Sequence, residues 1–267
     1  MKKHIFFEVV LISLFLAACG GSVVPTVQVT NTSVSTLAPT DTSIPPTLTP
    51  APTVTFTPEP TATVMPTATP ENQIFRDDFN GALQPGWTWE NENTNRWSIT
   101  SDGWLQILGE DTALLYGQAQ SNLLWRELPE GNFVITVHLN AVPVANFQQA
   151  TIYLYEDTQN FVAINRGYCA PCSTKGNGIY MEYKIGGEGG VYMIALQETD
   201  LYLRLEYKED VITGSFATKH NQWQRLGRFG NYFIFKQVGL GVTNADSEGD
   251  DNADLVGLFD YFEITKP

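Results

Sequence analysis

Hydrophobic and polar residues alternate with a period of two along much of the chain from residue 73 to residue 267. In residues 133–140 the odd positions are Phe, Ile, Val and Leu, and residues 179–185 and 202–207 show the same alternation. Alternation of this kind, bounded by Gly, Asn and Asp clusters, predicts β-strands with one buried face. Roughly a dozen such runs and no convincing helical segment predict an all-β domain over 73–267, built as a two-sheet antiparallel β-sandwich or jelly roll.

The first residues have a different pattern. Two lysines precede an apolar stretch over residues 9–18. The end of this stretch and the two residues after it read Leu16-Ala17-Ala18-Cys19-Gly20. This pattern predicts a signal peptide over residues 1–18. It resembles the lipobox of bacterial lipoproteins, which implies cleavage before Cys19 and attachment of lipid to that residue. The alternatives are an ordinary signal peptide with a chance cysteine and an uncleaved anchor. The resemblance implies an exported protein whose domain faces outside the cytoplasm.

Residues 19–72 should form a tether. Thr and Pro make up about half of residues 22–72, and neither Lys nor Arg occurs between Lys3 and Arg76. Proline removes backbone donors and favours extended conformations, so we expect a disordered linker that leans towards polyproline II. No apolar run after Cys19 reaches the ~18 residues needed to cross a bilayer, so the predicted membrane contact is the lipid.

The charge of the chain excludes some partners. Its formal net charge is −14 and its sequence pI is about 4.5. A nucleic-acid surface needs a basic patch, and adhesion to anionic lipid heads needs one too. We therefore expect no nucleic-acid partner. Separately, we expect the chain to be monomeric.

A set of motifs in a fixed order gives the family resemblance. It comprises residues 75–81 (Phe-Arg-Asp-Asp-Phe-Asn-Gly), 87–89, 104–108, 201–207 and 257–264. Together these segments resemble the concanavalin A-like lectin/glucanase sandwiches, and most of all the C-terminal domain of family 43 β-xylosidases. The resemblance implies a concanavalin A-like jelly roll. Glucanase members carry a Glu-x-Asp-x-Glu strand, and its absence from this sequence argues against a hydrolase.

Polar residues that alternate with core positions are candidates for glycan binding. Aromatic rings cover the apolar side of a sugar, and charged groups reach its hydroxyls. We expect the binding set to share one exposed sheet surface, and it comprises Tyr180, Glu182, Tyr202, Arg204 and Glu206. The alternative is an ordinary amphipathic sheet with cross-strand pairs. Glu182 and Glu206 would also be the carboxylate pair if the domain were a glycosidase, although no motif supports that.

Cys169-Ala170-Pro171-Cys172 is a sharp local feature. In an exported domain this spacing favours a disulfide between Cys169 and Cys172 that stiffens a loop between strands. A redox centre is less favoured because no helix follows. Zinc is less favoured because only His138 and His220 are available in the domain.

Acidic residues near the C-terminus offer a cation site. Hard cations take several oxygen ligands, so a structural calcium ion or a solvated acidic loop is expected there. The candidate ligands are Asp246, Glu248, Asp250, Asp251 and Asp254. Asp78 and Asp260, near the two ends of the domain, are expected to support a cation or to cap turns. No cofactor is required.

These features predict a lipid-anchored surface protein that displays a non-catalytic carbohydrate-binding sandwich. The first alternative is a glycoside hydrolase with an unrecognised carboxylate pair. The second is a structural or protein-binding module. The domain boundaries expected are 1–18, 19–72 and 73–267.

Overall fold

The computed structural model describes residues 71–244 and 254–267. The predicted signal peptide, the lipidation site and nearly all of the linker lie outside these residues. No helix in the described part of the chain is long and apolar enough to cross a membrane. The strands are β1 (Gln73–Asp77), β2 (Trp87–Glu90), β3 (Trp97–Ile99), β4 (Leu105–Leu108), β5 (Leu123–Glu127), β6 (Phe133–Ala141), β7 (Gln148–Asp157), β8 (Asn160–Cys169), β9 (Gly176–Ile185), β10 (Glu188–Ala195), β11 (Asp200–Lys208), β12 (Val211–Ala217), β13 (Gln224–Gly230), β14 (Gln237–Asn244) and β15 (Val256–Thr265), with one 3-10 helix, Leu114–Tyr116.

The strands form two antiparallel sheets, as predicted. The eight-stranded sheet has the order β13-β12-β11-β6-β15-β4-β3, and β1 pairs with β15 beside this path. The seven-stranded sheet has the order β10-β9-β8-β7-β14-β5-β2. Side chains on the inner faces of the two sheets form one hydrophobic core.

The period-two pattern correctly predicts which side chains enter that core. Ile135, Val137 and Leu139 on β6 are fully buried, and so are Leu203 and Leu205 on the neighbouring β11. Each such side chain stabilises the fold by about 1.5–3 kcal/mol relative to an exposed position.

The two ends of the domain meet in one sheet. Phe75 on β1 lies opposite Ile264 on β15, and Asp77 lies opposite Phe262. The first and last strands of the domain are therefore neighbours.

Asp77, rather than Asp78, holds the turn after β1. The Asp77 side chain is 1% exposed. Its carboxylate accepts hydrogen bonds from the Phe79 and Gln84 backbone N–H groups at 2.9 and 2.8 Å and from Trp87 Nε1 at 2.8 Å. Asp78 instead forms an ion pair with Arg76, 2.6 Å between Oδ1 and Nη2. The expectation that Asp78 caps the turn is wrong because the acid before it faces inward.

Candidate functional site

The five residues predicted to share a binding surface lie on two different sheets. Tyr180 and Glu182 belong to β9 of the seven-stranded sheet, and Tyr202, Arg204 and Glu206 belong to β11 of the eight-stranded sheet. All five alternate with core residues, so each group occupies the outer face of its own sheet. The prediction of one shared surface is therefore wrong. Glu182 and Glu206 cannot act as a carboxylate pair.

A depression lies on the outer face of the seven-stranded sheet, and we call it the disulfide pocket. Its volume is about 450 Å³, including the space open to solvent. Four neighbouring strands and the loops beside them supply its walls. It is lined by Phe147, Gln149, Tyr168, Cys169, Cys172, Tyr180, Glu182, Val191 and Met193.

Strand register explains why these residues meet. Val191 on β10 is the cross-strand partner of Glu182, and Met193 is the partner of Tyr180. Gln149 on β7 pairs with Gly167 on β8, so no side chain separates it from β9 there. Strand β10 thus supplies an apolar wall, and β7 and β9 supply the polar side chains of Gln149 and Glu182.

One wall of the pocket is the loop closed by the Cys169–Cys172 disulfide, which confirms the predicted bond. The loop is held by a hydrogen bond from the Ala170 N–H to Asn146 Oδ1 at 2.7 Å. The Tyr180 hydroxyl donates to the Gly176 carbonyl at 2.5 Å and lies 2.6 Å from the Thr174 hydroxyl. Tyr180 is 4% exposed and its polar atom is already used, so it supports the loop instead of presenting a free hydroxyl.

Glu182 is the charged residue of the pocket. Its carboxylate accepts a hydrogen bond from Gln149 Nε2 at 3.3 Å. Burial raises the pKa of Glu182, and the amides of Gln149 and Asn165 offset part of that rise because they favour the charged form. Within residues 71–244 and 254–267, no Lys, Arg or His nitrogen lies within 4.0 Å of it.

Two buried side chains beside the pocket floor have polar atoms without a hydrogen-bond partner among the described residues. Asn165 on β8 is the cross-strand neighbour of Tyr180, and Thr151 on β7 is the neighbour of Asn165. Both side chains are fully buried. Asn165 influences the Glu182 pKa, yet neither its Oδ1 nor its Nδ2 reaches hydrogen-bond geometry, and Thr151 Oγ1 has no partner either. This strip has hydrogen-bonding capacity that the described protein atoms leave unused.

Part of this outer face is covered by the segment that precedes β5. Leu114 in the 3-10 helix packs with Trp125, Tyr153 and Ala163 in a second hydrophobic cluster. Trp125 Nε1 also donates to Glu90 Oε2 at 2.6 Å. The segment before β5 therefore lies over the half of the sheet towards β2, and the disulfide pocket is in the uncovered half.

On the outer face of the eight-stranded sheet, a histidine ring covers one face of the Tyr202 ring. The His138 ring stacks on Tyr202 with 4.3 Å between ring centroids. His138 Nδ1 lies 2.8 Å from Asp260 Oδ2, and Nε2 lies 2.6 Å from Asp200 Oδ1. Asp260 thus binds a side chain, where a cation or a turn was expected.

The other two predicted residues on that face also have protein neighbours. The Arg204 guanidinium lies 3.7 Å from the centre of the Trp223 ring. Glu206 lines a charged depression together with Lys208, Arg225 and Arg228. This face matches the alternative of an ordinary amphipathic sheet, although neither Arg204 nor Glu206 forms an ion pair with another described residue.

Four of the five predicted calcium ligands lie in the segment between the two described ranges. Asp246, Glu248, Asp250 and Asp251 lie outside the described residues. Asp254 accepts a hydrogen bond from Asn244 Nδ2 at 3.0 Å and pairs with Arg96 Nη2 at 2.7 Å. Across the two described ranges, no group of three or more His, Cys, Asp or Glu is arranged to hold a metal ion.

Five residues that line the pocket were not predicted from the sequence: Phe147, Gln149, Tyr168, Val191 and Met193. The alternation along β7 was sufficient to place Gln149 on the outer face. Phe147 has a positive φ of 62°. Residues other than glycine rarely adopt that backbone conformation, so no sequence pattern predicted that Phe147 would line the pocket.

The two packed antiparallel sheets and their strand order define a concanavalin A-like sandwich. The profile of the β-xylosidase C-terminal concanavalin A-like domain matches residues 76–264, and the chain belongs to that family. A comparison with curated proteins gave no match.

Solved structures share the fold. The GH43 protein BlXynB of Bacillus licheniformis superposes with a TM-score of 0.61 at 20% identity, over 72% of this chain and 39% of that one. The xylan β-1,4-xylosidase of Bacillus halodurans gives 0.58 at 18%, over 76% and 41%. A β-glucanase of B. licheniformis gives 0.51 at 14%, over 72% and 98%. The chain thus spans about two fifths of the two GH43 proteins.

Proposed function

We propose that this chain displays a non-catalytic glycan-binding module, which binds sugar in the disulfide pocket. The observation that carries the proposal is the pairing of partly exposed Phe147 and Tyr168 rings with the polar groups of Gln149 and Glu182 in one depression. Flat rings cover the apolar face of a pyranose, and a few polar groups fix its orientation.

The same pocket argues for binding without hydrolysis. Glycoside hydrolysis commonly requires two carboxyl groups, about 5–5.5 Å apart in retaining and 6.5–9.5 Å apart in inverting enzymes. Of the residues that line the pocket, only Glu182 carries a carboxylate. Glu206, the predicted partner, lies on the other sheet.

The place of the module on the cell is part of the proposal. The sequence pattern supports cleavage of residues 1–18, lipid on Cys19, and a tether over residues 19–72. This arrangement would hold the sandwich outside the cytoplasm and at a distance from the membrane, where polysaccharide is accessible.

The test is glycan-array binding of the full chain carrying Cys19→Ser, which prevents lipidation, followed by calorimetry on any ligand found. The xylosidase neighbours make xylo-oligosaccharides and related plant β-glycans the first panel. Tyr168→Ala should weaken binding about tenfold, which is about 1.4 kcal/mol. Tyr202→Ala is the matched control on the opposite outer face and should leave the affinity unchanged.

Two results would contradict the proposal. Loss of binding in Tyr202→Ala with retention in Tyr168→Ala would place the site on the eight-stranded sheet. Absence of binding across a broad panel would favour the structural or protein-binding alternative. Circular dichroism melts of both variants must match the parent chain for either comparison to count.

A further inference from the structure

Glu182 is a partly buried carboxylate without a charged partner. None of the described Lys, Arg or His side chains forms an ion pair with it, and its one hydrogen-bond donor in good geometry is the neutral amide of Gln149. The other side chains that line the disulfide pocket are uncharged. Inside this pocket the negative charge of Glu182 is therefore uncompensated.

Such a group has two ways to become stable. A carboxylate removed from water takes up a proton, or it pairs with a cation. Burial raises the pKa of Glu182, which is the direction expected for a carboxylate that has lost part of its contact with water. A ligand cation placed at the pocket floor would offset that loss, and the pair would form where water is partly excluded.

The walls also suit a cation. Phe147 and Tyr168 present aromatic rings to the same depression. The faces of such rings attract an ammonium group. A carboxylate floor with aromatic walls therefore favours a ligand that combines an apolar ring face with a positive charge.

We propose that the disulfide pocket selects sugars that carry a protonated amine, that is, hexosamine units with a free amino group, over neutral and acidic sugars. This inference rests on the proposed glycan binding in the same pocket. An N-acetylated amine is neutral and cannot pair with Glu182. A uronic acid would bring a second carboxylate to the same floor, in a chain whose net charge is already −14.

The experiment compares two oligosaccharides that differ only at the amine. Tetramers of β-1,4-linked glucosamine and of β-1,4-linked N-acetylglucosamine are titrated calorimetrically into the full chain carrying Cys19→Ser, in physiological salt and at a pH where the amine is protonated. The glucosamine tetramer should bind at least tenfold more tightly. Glu182→Gln, which keeps the shape of the side chain, should abolish that preference.

A matched control separates the pocket from bulk attraction of a polycation to an acidic protein. Glu206→Gln changes the net charge of the chain by the same amount on the opposite outer face. The preference for the amine should survive in Glu206→Gln. If Glu182→Gln retains the preference, or if both Gln variants lose it equally, the inference is overturned.

The outcomes also separate this inference from the proposed function. Binding of neutral glycans that Tyr168→Ala weakens, without any preference for the amine, would overturn the selectivity and leave the glycan site in place. Absence of binding by both tetramers and by every neutral glycan of the panel would overturn both.

Discussion

Loss of the Cys169–Cys172 bond should weaken both the fold and the pocket. The bond closes a loop of sequence separation three. The chain-entropy relation for a loop of that size gives about 6 cal/mol/K, or about 2 kcal/mol of stability at 25 °C. The same loop forms a wall of the disulfide pocket next to Tyr168. Without the bond, a ligand would have to order that wall, at about 0.5–1.5 kcal/mol per side chain, so its affinity should fall up to tenfold.

Urea unfolding followed by tryptophan fluorescence measures the first effect. With a slope of about 2 kcal/mol/M, a loss of 2 kcal/mol lowers the midpoint by roughly 1 M. The oxidised parent chain is compared with the reduced chain and with the double variant Cys169→Ala/Cys172→Ala. Reduction and double substitution should give similar shifts, and a reductant should not change the double variant.

If reduction, verified by thiol titration, leaves the urea midpoint of the parent chain unchanged, the bond does not stabilise the fold. An unchanged midpoint would mean that the Asn146 and Thr174 contacts fix the loop without the bond. A shift in the midpoint with unchanged glycan affinity would refute only the second step, the one from loop order to the pocket.

Two further predictions concern the eight-stranded sheet. Asp77→Ala leaves one buried and two part-buried N–H donors without their acceptor and should cost about 3 kcal/mol in urea unfolding, whereas Asp78→Ala, which removes an exposed ion pair, should cost under about 1 kcal/mol. Equal costs would contradict the assignment of the turn to Asp77. Burial raises the pKa of Tyr261 to about 12, with the nearby Arg76 acting in the opposite direction. The unfolded chain therefore loses this proton first, so stability should fall by up to about 3 kcal/mol between pH 10 and 12, and Tyr261→Phe should show a shallower fall in pH-dependent unfolding.

The sequence predicts which side of a strand each residue occupies, because that depends only on local alternation. Ile179 and Met181 are buried as expected, with Tyr180 and Glu182 on the other side of the same strand. Sheet membership does not follow from the same pattern. Strand β10 and the connection after it carry the chain from one sheet to the other before Tyr202. Two segments with the same alternation therefore present their polar residues on opposite faces of the molecule.

Prediction of the pocket from the sequence would also have required the order of the strands in the sheet. Gln149 and Glu182 are separated by 33 residues and meet because β7 and β9 flank β8. The spacing of the two residues along the chain does not predict that their strands lie on either side of β8. The disulfide was predictable because its two cysteines are three residues apart, so its geometry is local.

The contrast between the two outer faces is the strongest reason to place binding at the pocket. On the eight-stranded sheet the predicted polar groups already have protein neighbours, as with Tyr202 on His138 and Arg204 on Trp223. A ligand there would have to displace those contacts and gain more than they give. Around the pocket, Glu182 forms no ion pair among the described residues. A ligand cation that pairs with Glu182 would add an interaction without displacing a protein cation, so affinity per contact should be highest there.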